Sequence, residues 1–142
     1  AMAGALYTPD ILRMAANIPH LGRLAKPDAS VDQRAPVCGS HILVDLTLDA
    51  DGNVADFAQQ VRTCALGQAS AYLLGTHIIG MSAAQLAQMA ADLEDWLSGS
   101  RQTAPNWPGI SVLEEARAHP GRHGAICLPF KAAALAAQRA AS

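Results

Sequence analysis

Charge is scarce in this 142-residue chain: 15% of its residues are Asp, Glu, Lys or Arg, and 12 acids against 10 bases leave a formal charge of −2. So even a balance excludes a general electrostatic claim on nucleic acid or an anionic membrane surface. Long apolar runs are also missing. Residues 65–91 hold no charged side chain, but Gln68, Ser70, Thr76, His77, Gln85 and Gln88 interrupt them. A membrane-spanning helix needs about 20 predominantly apolar residues, so this stretch is expected to form two buried-face helices. No basic stretch followed by an apolar one opens the sequence, so no secretory signal is expected and the cytoplasm is the expected compartment. Cysteines number three, none of them in a Cys-x-x-Cys pair. That excludes a disulfide framework and leaves burial, metal ligation or nucleophilic chemistry. A Ser/His/acid constellation and a Gly-rich phosphate loop are absent too, so the chain is not expected to be an ordinary hydrolase or oxidoreductase.

What is abundant is apolar: 51% of residues, many of them Ala. That composition excludes disorder and points to close helix packing. The length predicts one domain over 1–142 with 1–6 as a flexible N-terminus, and a chain of this size buries about two-thirds of its unfolded surface. Thr8-Pro9-Asp10 predicts a helix start, and Asn17-Ile18-Pro19 its end. Over residues 30–62 the apolar period changes to two. Val31, Gln33, Ala35 and Val37 share one strand face, Ile42, Val44, Leu46 and Leu48 another, and Phe57 and Val61 a third. Asp49-Ala50-Asp51-Gly52-Asn53 predicts a hairpin loop. The expected architecture is α+β: a three-stranded antiparallel meander with helices packed on one face. Helical period resumes at Ala65. Ser82 with Gln85 predicts a capping box with Met81 and Leu86 as its staple, and Ser111 with Glu114 predicts another, opening a short helix to about Ala118. Pro129 is expected to open a final Ala-rich helix.

In an up-down-up meander the first turn and the end of the third strand lie at the same end of the sheet. Cys38 falls in that turn, within Pro36-Val37-Cys38-Gly39-Ser40, and Cys64 falls where the third strand passes into a helix. Topology therefore predicts that these two meet. Gly39 permits a tight turn beside a bound ion. The helix N-terminus at Cys64 favours negative charge, the form in which sulfur binds metal and attacks electrophiles. Cys127 and His123 join the site if the last helix starts at the same end. His41 could face it as well, and His77 is expected to be a core histidine.

These residues resemble the U-type iron–sulfur cluster scaffold proteins: IscU, SufU and the N-terminal domain of NifU. The resemblance spans about residues 7–139. Asn17-Ile18-Pro19-His20-Leu21-Gly22 is similar to that family's N-terminal Asn-Pro-Arg-Asn-x-Gly element. Pro36-Val37-Cys38-Gly39-Ser40 is similar to its first cysteine motif, and Cys64-Ala65-Leu66-Gly67 to its second. Gly80-Met81-Ser82 is similar to its Gly-Lys-Ser turn. The insert at 98–110 and the segment from Val112 to Arg122 resemble SufU more than IscU. Two positions depart from the pattern. Ser40 stands where the family carries an acid, and Ala125 falls where the third cysteine is expected, leaving Cys127 two residues away. A two-residue offset on a helix turns a side chain by about 200°.

The resemblance implies a scaffold or carrier that holds a nascent [2Fe–2S] cluster, iron or sulfur on Cys38 and Cys64, with Cys127 or His123 completing the ligand set. Zinc would suit the same thiolates at rest. The implied partners are a cysteine desulfurase and apo iron–sulfur targets, the implied state is a monomer or homodimer, and no catalytic turnover is implied beyond sulfur transfer. Two alternatives are a zinc-bound sulfur relay, and a chain that keeps the fold without cluster chemistry and serves as an interaction or regulatory partner of the desulfurase.

Overall fold

The computed structural model describes residues 6–36 and 39–142; Val37 and Cys38 lie outside the described residues, as do residues 1–5. Leu6, expected at the end of a flexible terminus, is buried in the core instead. Helix α1 (Pro9–Ala15) begins as anticipated: the Thr8 hydroxyl accepts from the Ile11 amide at 3.2 Å, and Pro9 occupies the first turn. Its buried residues are Ile11 and Met14.

The sheet consists of β1 (Ala29–Arg34), β2 (His41–Leu48) and β3 (Val54–Arg62), antiparallel in the order β1-β2-β3. Val31 faces Val44, which faces Gln59; Leu46 faces Phe57; Ile42 faces Val61. Their shared face carries the core, because residues at a spacing of two point the same way. The other face is covered in part, around Asp45, by the segment leaving α1. Gly22 donates to the Gln59 carbonyl at 3.0 Å on the β3 edge, and the chain then crosses β2 to reach β1. Asp45, fully buried beneath that crossing, accepts from Arg23 Nε at 2.7 Å, the Leu24 amide at 3.0 Å and Ser30 Oγ at 2.5 Å. Burial by itself would raise its carboxyl pKa, but these donors outweigh it and the net shift is downward.

Helix α2 (Ala65–His77) follows β3, and α3 (Ala83–Ser98) follows the expected capping box: Ser82 Oγ accepts from the Gln85 amide at 3.1 Å, and Gln85 Oε1 from the Ser82 amide at 2.9 Å. Residues 98–109 are pinned by Trp107, whose indole donates to the Leu73 carbonyl at 2.7 Å and meets Phe130 edge-on. A 3₁₀ segment (Ile110–Ala118) and a 3₁₀ turn (Pro120–Arg122) lead into α4 (His123–Ala141), which packs against α2, α3 and the sheet.

Three expectations are corrected. The final helix starts at His123, with Pro129 inside it. Proline in a helix interior costs about 3 kcal/mol. Burying Ile126, Leu128 and Phe130 on the same turns, at about 2 kcal/mol each, outweighs that cost. The segment after Gly109 is 3₁₀ rather than α, and no Ser111 capping box forms: Gly109, at φ 82°, holds the cap position and Ser111 lies within the segment. His77 is exposed, edge-on to Trp107, because the helix ends there.

Candidate functional site

The pairing of His41 with Arg62 fixes the geometry, since the residues before His41 must then oppose those after Arg62. Ser40 and Thr63 close that juxtaposition with a hydroxyl–hydroxyl bond of 2.7 Å. Around it opens a cavity of about 230 Å³. Gly39 and Ser40 line it from the β1–β2 turn, Arg62, Thr63 and Cys64 from the β3–α2 junction, Gly121 and Arg122 from the approach to α4, and Ala125 from the first turn of α4.

Each wall has a local cause. Gly39 has φ 72°, a left-handed conformation that suits glycine, and a Cβ there would meet open space. Cys64 is the N-cap of α2, half-buried, and its side chain makes no capping hydrogen bond. The sulfur therefore stands at a helix N-terminus whose amides its own side chain does not satisfy. Thr63 is held from behind by α2, because Gly67 brings the helix backbone so close that a Cβ there would sit 2.3 Å from Thr63 Oγ1.

The charge on the cavity is of one sign. Arg62 and Arg122 line it, and among the described residues no acid does and neither guanidinium is ion-paired. Arg62 also borders a larger groove of about 460 Å³ on the solvent side of the sheet, lined by Leu21, His41, Leu43 and Gln60, which holds no thiol.

The four anticipated site residues divide. Cys64 is on the cavity wall. Cys38 lies outside the described residues, next in sequence to Gly39 on that wall. Cys127 is not on the wall: it is 4% exposed, within the hydrophobic core, and burial pushes its thiol pKa up to about 11. Ala125 takes the wall instead, as a 200° offset along α4 requires. His123 is turned away as well, its Nε2 2.8 Å from the Ala116 carbonyl, where it caps the end of the 3₁₀ segment. His41 pairs with Asp32 on the solvent face of the sheet. Among the described residues no group of three His, Cys, Asp or Glu side chains is placed to hold a metal ion.

Sequence patterning did not single out Arg62, Thr63 or Gly121. The signal was available for the first two: they flank Cys64, and the topology that aligns the two cysteine motifs aligns their neighbours too.

A family model described as the NifU-like N-terminal domain matches residues 6–108. A crystal structure of a nitrogen-fixing NifU-like protein (N-terminal) from Brucella abortus is 32% identical, with a TM-score of 0.90 over 96% of this chain and 95% of that one. A protein from thermophilic Fervidobacterium islandicum, described as an iron–sulfur cluster assembly scaffold for the SUF system, matches at 20% identity and a TM-score of 0.85 over 96% and 99% of the two chains. A crystallised hypothetical protein shares the fold at 22% identity and a TM-score of 0.73, over 94% and 97%. No curated protein matches the sequence.

Proposed function

The chain belongs to the NifU-like N-terminal domain family, and on that premise we propose that it is an iron–sulfur assembly scaffold or carrier whose working thiols are Cys38 and Cys64. The observation that carries this reading is the cavity itself: the Ser40–Thr63 bond joins the turn that follows Cys38 to the junction that presents Cys64. Thiolate sulfur on a solvent-open rim is what cargo needs in order to enter and leave.

Sulfur arrives as a persulfide on a cysteine desulfurase. A cavity thiolate attacks the terminal sulfur, a new S–S bond forms, the donor's S–S bond breaks, and the donor cysteine leaves as thiolate. An external two-electron reductant, such as a dithiol, then breaks each persulfide S–S bond to give sulfide and the free cysteine thiolate; the two thiolates would hold the iron that this sulfide bridges, and the cluster would pass to an apo-protein. The chain does no chemistry beyond accepting and releasing this cargo. Reduced thiols in such a site suit a reducing compartment such as the cytoplasm.

The ligand set proposed is the cysteine pair. Cys127 would have to leave the core, and His123 its carbonyl partner, to join it. That disfavours the zinc-bound sulfur relay, since zinc takes four ligands. It also gives substance to the second reading, a desulfurase partner of this fold that carries no cluster. The deciding experiment measures iron, zinc and acid-labile sulfide before and after anaerobic reconstitution with a desulfurase, cysteine, Fe²⁺ and a dithiol reductant. Iron and sulfide bound by the native chain and lost in Cys38→Ala/Cys64→Ala support the scaffold. A chain that takes up neither while still binding the desulfurase is the partner.

A further inference from the structure

An open sheet ends in two edges, and those of this sheet differ. The register of β1 against β2, continued by the Ala35 amide donating to the Ser40 carbonyl at 2.9 Å, makes Val31 and Gln33 the residues that bond to β2. In an antiparallel pair the alternate residues turn their N–H and C=O the other way, so those of Ser30, Asp32 and Arg34 point out of the sheet. On the β3 edge the equivalent groups of Gln59 are taken by the His20 carbonyl and the Gly22 amide. On the β1 edge, among the described residues, no backbone group bonds to Ser30, Asp32 or Arg34, and all three are exposed. Helix α4 packs on β1 from the core side, with Gly124 against Ala35: a Cβ on that glycine would lie 3.9 Å from the alanine methyl. Lys131, Leu135 and Gln138 continue the Gly124 stripe at helical spacing and are exposed or half-buried, so the flank of α4 beside this edge is open as well.

An edge of this kind is a template for another strand, and its charges decide which. Asp32 and Arg34 carry opposite signs two positions apart on the solvent face, and among the described residues Arg34 has no ion-pair partner. A run of one sign would repel a second copy; this pair complements itself. About a two-fold axis through Gln33, Asp32 of each copy faces Arg34 of the other, and each such pair exchanges both N–H···O bonds. An axis at Asp32 would set that carboxylate against its own copy. An axis at Val31 would need Asp28, whose amide is already bonded to the Leu46 carbonyl and whose carboxylate accepts from the Leu48 amide. Pro36, with no N–H, ends the ladder opposite Ser30. We infer that β1 is the docking edge for a second copy of this chain, paired antiparallel about Gln33 into one six-stranded sheet. This interface is independent of the scaffold reading. In each copy β1 runs toward the cavity, so the antiparallel pair directs the two cavities opposite ways and leaves both open. The dimer holds two separate cavities rather than one site shared between copies.

The test is sedimentation equilibrium of the full chain from micromolar to submillimolar concentration, where the native protein should pass from monomer to dimer. Arg34→Asp sets acids against acids across the interface, and Asp32→Arg sets bases against bases. Each should weaken dimerisation by about tenfold or more. Mixing the two variants restores both cross-strand pairs, so the mixture should form a heterodimer as tight as the native dimer. The swap Asp32→Arg/Arg34→Asp should likewise dimerise with itself. Both positions are exposed, so the circular dichroism of every variant should match that of the native chain, and rescue on mixing shows directly that each variant is folded. A native chain that stays monomeric throughout overturns the inference, whatever strand of another protein the edge receives. So does a dimer indifferent to the charge reversals, or one that the mixed variants fail to restore, because its interface lies elsewhere.

Discussion

Ala125 and Cys127 differ by two steps along α4, and that offset turns one toward the cavity and the other into the core. A methyl group therefore lines the cavity where the family pattern places a third cysteine. Ala125→Cys should place a third thiol there. Zinc affinity, measured by competition with a chromophoric chelator, should tighten by about tenfold or more, since three thiolates approach a tetrahedral set. Unchanged affinity would show that the wall at residue 125 does not reach the metal. Cys127 behaves in the opposite way. Its buried thiol ionises only near pH 11, so iodoacetamide at pH 8 should label Cys64 and leave Cys127 untouched until denaturant is added. The same shift sets an alkaline dependence. The unfolded chain loses this proton first, at an ordinary thiol pKa of about 8.5. Stability should be insensitive to Cys127 below that pH, then fall as pH rises toward 11. Cys127→Ala should remove that part of the fall; a melting profile with the same alkaline slope would place its cause elsewhere.

At the scale of elements, the proposed scaffold role sets stability against function at the start of α2. Its N-cap is a cysteine whose side chain makes no capping bond, although Ser at that position satisfies a free amide and is worth about 1 kcal/mol. Cys64→Ser should therefore raise the melting temperature, by about 2–4 °C for a chain of this size, and abolish soft-metal binding together. A variant that loses metal and also melts lower would assign Cys64 a packing role. The strands were legible because alternation along Ile42, Val44 and Leu46 admits one buried face, and the Ser82–Gln85 box because its chemistry is local. The start of α4 was not. Pro129 is a strong local signal for a helix beginning, but the burial of Ile126, Leu128 and Phe130 that overrides it is a tertiary effect. The same error blurred the site. The sequence aligned the two cysteine motifs through topology, yet whether residue 125 or 127 faces the cavity depends on where α4 begins and which face it buries. The guanidinium pair was hidden for a related reason: Arg62 and Arg122 are 60 positions apart and share a wall only after folding.

In the whole molecule, the cavity opens at the edge of the core: Ala125 on its wall is buried and Cys64 packs against the hydrophobic cluster. Trp96, Phe130, Ile42, Leu46, Leu73 and Leu93 form part of one hydrophobic cluster spanning the sheet and helices. The cavity sits where two loops and two helix starts meet, and of the described residues lining it only Ser40 and Ala125 are buried. The second face of the sheet is secured independently by Arg23 and Asp45. A fold built in this way does not wait for metal, unlike small domains in which ligand binding supplies the folding energy. Chelator treatment should leave the far-ultraviolet circular dichroism and the cooperativity of melting unchanged. Metal should act only as a ligand of the folded state. At a free concentration 100 times the dissociation constant it should add about 2.7 kcal/mol, which for this length raises the melting temperature by about 5–10 °C. Cys38→Ala/Cys64→Ala should fold to the same spectrum and show no such rise. If chelation instead collapses the spectrum, the cavity is a folding nucleus and its thiols are structural. If the spectrum holds and the metal-dependent rise vanishes with the two cysteines, the fold is a preformed platform that can receive and surrender its cargo without unfolding.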